Sequence, residues 1–169
     1  MMQVVNPVRF QDFSLESATQ AVQEFKDQPG ALLEALHKLQ ATFGYVDEAA
    51  MPMLAKLFNL SRAEVHGVTS FYHDFRRSKP GVYTVRVCQA EACQAMGSAA
   101  LTDAIKAQLG CGLHETSADG LFSLEAVYCL GNCACSPSVM VDKQTYGRMS
   151  PERFKTLSAA LAANAKGGN

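Results

Sequence analysis

No run of apolar residues in this chain approaches the roughly 20 needed to cross a bilayer. The opening MMQVVNPVRFQDF has no apolar stretch behind a basic start, so it does not read as a secretory leader. The expectation is a cytoplasmic protein with no direct membrane insertion. A basic excess is missing too: the formal net charge is −1 over 169 residues. Nucleic-acid binders normally carry a basic surplus or stripe, and the one short basic run, Arg76-Arg77-Ser78-Lys79, reads as a solvated connection. No nucleic-acid partner is expected. The chain also lacks a G-x-G-x-x-G turn, a P-loop and carboxylates paired for acid–base work, so no catalytic residue is assigned to it. It lacks a C-x-x-C, which removes a thioredoxin-type redox dithiol.

With 48% hydrophobic and 18% charged residues, the chain has the composition of a packed protein rather than a disordered one. Its first half reads as four short helices. Ser14 is placed to cap a helix from Leu15 to Phe25. Leu32, Leu33, Leu36 and Leu39 recur at helical spacing up to Gly44. Met51, Leu54, Leu57 and Phe58 repeat that pattern, with Pro52 tolerable only in the first turn. Ser61 followed by Glu64 is a capping-box signature ahead of Val65, Val68, Phe71 and Tyr72. After RRSKPG the period changes to two. A strand is expected through Val82–Val87 to Cys88, a helix over Ser98–Leu109, and strands in GLFSLEAVYCL and SVMVDKQTYGRM, the latter turning near Lys143-Gln144. A last helix is expected from Pro151 to Ala162. The expected fold class is α+β, with a helical bundle over residues 1–79 and an α/β domain over 80–169.

Six cysteines without a leader read as metal ligands or redox groups rather than as a disulfide framework. Cys88 ends one expected strand and Cys93 follows in the loop before a helix. Cys129 and Cys133 repeat the arrangement after another strand. If the two strands are neighbours, four thiols converge on one sheet edge, and two iron ions bridged by sulfide need two thiolates each. Structural zinc also takes four cysteines but usually in a tighter C-x-x-C. A zinc-stabilised adaptor is therefore the competing reading from a different class. Cys111 looks like an unliganded helix-end residue, while Cys135 stands close enough to Cys133 that spacing alone leaves the second pair open. The four histidines, at positions 37, 66, 73 and 114, fall mostly on helical segments and read as surface or core side chains.

At these residues the chain resembles the thioredoxin-like 2Fe–2S ferredoxin family, found in the NADH-dehydrogenase module of respiratory complex I and in NAD-linked hydrogenases and formate dehydrogenases. The family pattern, C-x4-C followed by C-x3-C, falls on Cys88, Cys93, Cys129 and Cys133. CLGNC with Ser136-Pro137 is similar to the second half of its signature, and VHGVTSFYHDF to the end of its helical bundle. The resemblance implies a thioredoxin-like α/β domain, one 2Fe–2S cluster on those four cysteines, and Cys133 rather than Cys135 as the fourth ligand. It also implies a partner flavoprotein subunit carrying FMN and the NAD site, beside the complex's large catalytic subunit. NAD exchanges a hydride whereas iron–sulfur centres pass single electrons, so a flavin has to join them. Within the family CQAEACQAMG looks most like the gamma subunit of cytoplasmic NAD-dependent formate dehydrogenase. The equivalent subunits of complex I and of NAD-linked hydrogenases are the alternatives.

Overall fold

Several helix ends of the N-terminal half fall on residues whose chemistry favours them. The computed structural model describes residues 4–167. Helix α1 (Leu15–Val22) begins where the Ser17 amide donates to Ser14 Oγ at 3.1 Å, and a short 3-10 turn over Gln23–Phe25 continues it. Helix α2 (Leu32–Phe43) ends on Gly44, at φ 85°, a left-handed conformation that glycine adopts without the Cβ penalty. Helix α3 (Met51–Phe58) carries Pro52 in its first turn, where the missing N–H costs nothing. Helix α4 (Arg62–Phe71) opens on a complete capping box. The Glu64 amide donates to Ser61 Oγ at 3.2 Å and the Ser61 amide donates to Glu64 Oε2 at 2.7 Å. Replacing Ser61 by alanine removes half of that box, and an unfolding midpoint in urea is expected to show a loss of about 1 kcal/mol.

The apolar stripes of these helices meet in one core, with Leu36, Leu39, Phe43, Val46, Leu54 and Val65 fully buried. This helical unit spans Phe10–Lys79. The remaining residues, from Pro80 onward together with the segment ending at Arg9, form a second unit. In that unit Asn164 Nδ2 donates to the Val5 carbonyl at 3.0 Å.

The second unit is built on a five-stranded mixed sheet in the order β2-β3-β1-β4-β5. Strand β1 (Tyr83–Cys88) lies in the middle. It pairs parallel with β3 (Phe122–Val127), from Tyr83 opposite Phe122 to Cys88 opposite Val127. On its other side it pairs antiparallel with β4 (Val139–Val141), Val87 opposite Val139. Strand β5 (Gln144–Tyr146) returns from β4 through a turn at Asp142–Lys143, and a two-residue β2 (Glu115–Thr116) edges β3. Three helices accompany the sheet: α5 (Glu91–Ala95), α6 (Ser98–Leu109) and α7 (Pro151–Gly167). Alternation along β1 buries Tyr83, Val85 and Val87 in one core with Leu101 and Ile105 of α6 and Phe154, Leu157 and Leu161 of α7.

This topology settles where loops can meet. The C-terminal ends of the parallel pair β1 and β3 lie together, and β4, being antiparallel, starts at that same end. The segment 128–138 therefore leaves and re-enters the sheet on the two sides of β1, beside Cys88. Among the described residues no helix is long and apolar enough to cross a membrane.

Candidate metal centre

Four thiols of this unit gather at that end of the sheet. Cys88 is the last residue of β1 and is 2% exposed. Cys93 lies not in a loop, as expected, but inside the short helix α5, and is also 2% exposed. Glu91 at the start of α5 and a turn of only five residues explain why periodicity carries no helical signal there. Cys129 and Cys133 are exposed. Strand β3 stops at Val127, two residues before Cys129, whose φ of 129° is a conformation L side chains rarely adopt. Cys133 opens a 3-10 turn, Cys133–Cys135, that also has no signal in the sequence.

The contacts tie these residues into two pairs and the pairs to one another. Cys88 and Cys93 act on each other's protonation, and Cys129 acts on that of Cys133. Backbone amides converge on the sulfurs from both loops. The Gly131 amide donates to Cys129 Sγ at 3.3 Å, while the amides of Ala90 and Leu130 favour the Cys88 thiolate and that of Ser138 the Cys93 thiolate. The reach of Leu130 to Cys88 and of Ser138 to Cys93 brings the 128–138 segment over the first pair. Gly131, at φ 70°, gives the turn that aims its amide inward, whereas Gly97 serves as the entry to α6.

Protonation follows these contacts. Burial pushes the Cys88 thiol up, the amides of Ala90 and Leu130 acting against it. For Cys93 burial also acts upward, but the hydrogen bond shared with Ser136 and the influence of Cys88 and of the Ser138 amide outweigh it and leave the thiol below its ordinary value. The hydrogen bond to Cys129 and that residue's charge raise Cys133, and Cys93 adds to the effect across the pairs. The two remaining cysteines differ in kind. Cys111 is a buried member of the apolar core, its thiol pushed up by burial and then by Glu115 and Asp119. Cys135 is half-buried, and its carbonyl accepts the Arg148 amide at 2.5 Å. Gly147 lies against Cys135 so closely that a Cβ there would come within 2.6 Å of Cys135 Cβ.

The donor chemistry fits a two-iron cluster. Among the described residues no group of three or more His, Cys, Asp or Glu side chains gathers around a point as the shell of a single ion. Two iron ions bridged by sulfide need two thiolates each, and the two thiol pairs at this end of the sheet would meet that need, with amides nearby to offset negative charge. A profile of the thioredoxin-like 2Fe–2S ferredoxin family matches residues 18–162. The chain belongs to that family. It carries a 2Fe–2S cluster and the family's thioredoxin-like fold, and the zinc-adaptor reading falls with that assignment.

Relatives of this ferredoxin chain cover most of it. It is 35% identical over 136 residues to a subunit of the NADH-quinone oxidoreductase of Pseudomonas aeruginosa, covering 80% of this chain and 82% of that one. It is 34% identical over 140 residues to the HndA subunit of the NADP-reducing hydrogenase of Solidesulfovibrio fructosivorans, covering 83% and 82% respectively. A crystal structure of an NAD+-reducing NiFe-hydrogenase in its air-oxidized state superposes with a TM-score of 0.66 at 24% identity. That match covers 79% of this chain and 23% of the hydrogenase chain, and it shows shared fold.

Several contributors to the ferredoxin site carry no signal as functional residues. The amides of Ala90, Leu130 and Ser138 act through the backbone, which side-chain patterns do not report. Ser136 stands out in the sequence only as the residue before Pro137, yet its hydroxyl lies 3.4 Å from Cys93 Sγ. Asn132 braces the same loop, Nδ2 donating to Ser138 Oγ at 3.1 Å.

Proposed function

We propose that this ferredoxin chain is the electron-transfer subunit of an NADH-dehydrogenase-type module, docked beside a flavoprotein subunit that holds FMN and the NAD site. Its cluster ligands in this reading are Cys88, Cys93, Cys129 and Cys133. The observation that carries the proposal is the joint one: two thiol pairs under converging amides, in a chain whose relatives across four-fifths of its length are subunits of NADH-quinone oxidoreductase and of an NADP-reducing hydrogenase. Those relatives favour complex I or an NAD(P)-linked hydrogenase as the parent complex. The formate dehydrogenase reading rests on the CQAEACQAMG stretch alone and comes after them.

Held by these thiolates, a 2Fe–2S cluster would supply one-electron exchange. The chain's own residues set the conditions for that exchange. The Gly131 amide donates to Cys129 Sγ, and the amides of Ala90, Leu130 and Ser138 favour the thiolates of Cys88 and Cys93. The buried pair, Cys88 and Cys93, keeps water from one side, while the exposed pair, Cys129 and Cys133, leaves the other side open to a partner. Tyr128, next to Cys129 in the chain, is 78% exposed. No substrate pocket is needed for such a role; the large catalytic subunit of the complex supplies the chemistry at its far end.

The test is purification of the tagged full-length chain from its host cells under conditions that keep complexes intact. Co-purifying subunits are identified by mass spectrometry. The eluate is assayed for NADH-dependent quinone reduction, hydrogen-dependent reduction of NAD(P), and formate-dependent reduction of NAD. Recovery of a flavin-containing subunit with one of the first two activities is the expected result. Formate-dependent activity would move the chain to the formate dehydrogenase reading. Recovery of the cluster-bearing chain with no flavoprotein would overturn the proposal.

A further inference from the structure

Ser136 is 8% exposed and sits between the two ligand pairs. The Cys93 thiol donates to Ser136 Oγ at 3.4 Å, and the Ser136 hydroxyl donates to the Cys133 carbonyl at 2.8 Å. Binding iron takes the proton from Cys93 and leaves an anionic sulfur facing a hydroxyl. That hydroxyl has a choice of two acceptors, a neutral carbonyl and a thiolate, and hydrogen bonds to ionised acceptors are roughly twice as strong. We infer that Ser136 is a potential-setting donor, whose hydroxyl hydrogen-bonds the Cys93 sulfur in the cluster-loaded protein and raises its reduction potential.

The sign follows from charge. Two ferric ions, two sulfides and four thiolates total −2, and one added electron makes −3; no bond breaks and Ser136 keeps its proton throughout. A donor to a ligand sulfur stabilises the more negative state more, so it favours reduction. Unlike an amide, this donor belongs to a side chain and can be removed without altering the backbone. Ser138 is a natural control. Its hydroxyl faces Asn132 and the Cys135 carbonyl, with only its amide directed at Cys93. The inference rests on the reading that Cys93 is a ligand.

The experiment is an EPR-monitored redox titration of the full-length chain carrying its cluster, comparing wild type with S136A, S136T, S138A and C93A. S136A is expected to weaken reduction by about three- to tenfold, a fall in midpoint of about 30–60 mV for a one-electron couple. S136T keeps the hydroxyl and is expected to stay near wild type, and S138A to leave the midpoint in place. C93A is expected to lose the cluster. An unchanged midpoint in S136A, or an equal fall in S136A and S136T, overturns the inference while the C93A result leaves the ligand reading standing. Retention of a normal cluster in C93A overturns both.

Discussion

Replacing Cys88, Cys93, Cys129 or Cys133 singly by alanine is expected to cut iron and acid-labile sulfide per chain several-fold. The visible charge-transfer absorption and the EPR signal of the reduced protein should go with them. In the proposed ligand set each substitution leaves one iron with a single protein thiolate. Alanine is chosen because serine would leave an oxygen donor behind. Cys111→Ala and Cys135→Ala are expected to keep iron and sulfide at the wild-type level. Cys111 is held in the apolar core with Leu101 and Ile105, away from the sulfurs described above. Cys135 is turned by its 3-10 segment and pinned beneath Gly147. Loss of the cluster in Cys135→Ala with retention in Cys133→Ala would exchange the two residues' roles.

The second large effect is expected at Gly147. A Cβ there would lie 2.6 Å from Asn132 Nδ2 and from Cys135 Cβ, and 2.8 Å from the Cys135 carbonyl oxygen. The asparagine amide is the end of a side chain and can swing aside. The Cys135 contacts cannot be relieved that way, because they involve the chain itself one turn from Cys133. Gly147→Ala is therefore expected to destabilise the protein by about 1–3 kcal/mol, as overpacking does. For a domain of this size each kcal/mol lowers the thermal midpoint by several degrees. Because the displaced backbone carries Cys133, iron release to a chelator should accelerate along with unfolding. A thermal midpoint unchanged from wild type, with unchanged iron release, would show that the loop absorbs the methyl group.

Most elements of the helical half follow from local chemistry alone. Ser14, Gly44, Pro52 and the Ser61–Glu64 box each act within one turn, so their positions fix helix ends before any tertiary contact is considered. The period-two pattern of Tyr83, Val85 and Val87 likewise gives both the strand and its buried face. Other features depend on distant residues. Helix α5 is too short to show a period, and β2 exists only because Glu115 and Thr116 find Leu124 and Ser123. The final helix runs on to Gly167, past Ala162, because its alanine-rich end continues without a breaker. The end of β3 at Val127 comes from a backbone turn at Cys129 that no residue type announces.

The metal centre divides in the same way. The thiols that make the pairs are visible as cysteines at strand ends, and their convergence needs only the guess that β1 and β3 are neighbours. The amides that cover them belong to Ala90, Leu130 and Ser138, residues whose side chains say nothing about donation. Resemblance to a family supplies the choice of Cys133 over Cys135. In the structure the physical difference between the two is the close packing of Gly147 on Cys135 and the contact of Cys133 with Cys129.

The central place of β1 has a consequence for synthesis. Both of its neighbours, β3 and β4, come later in the chain. A nascent polypeptide that has just delivered Cys88 and Cys93 from the ribosome has a central strand with nothing to pair against. The helical unit, encoded ahead of it, already has every residue of its core. In the proposed ligand set, Cys129 and Cys133 therefore join Cys88 and Cys93 only once β3 and the loop after it have been made.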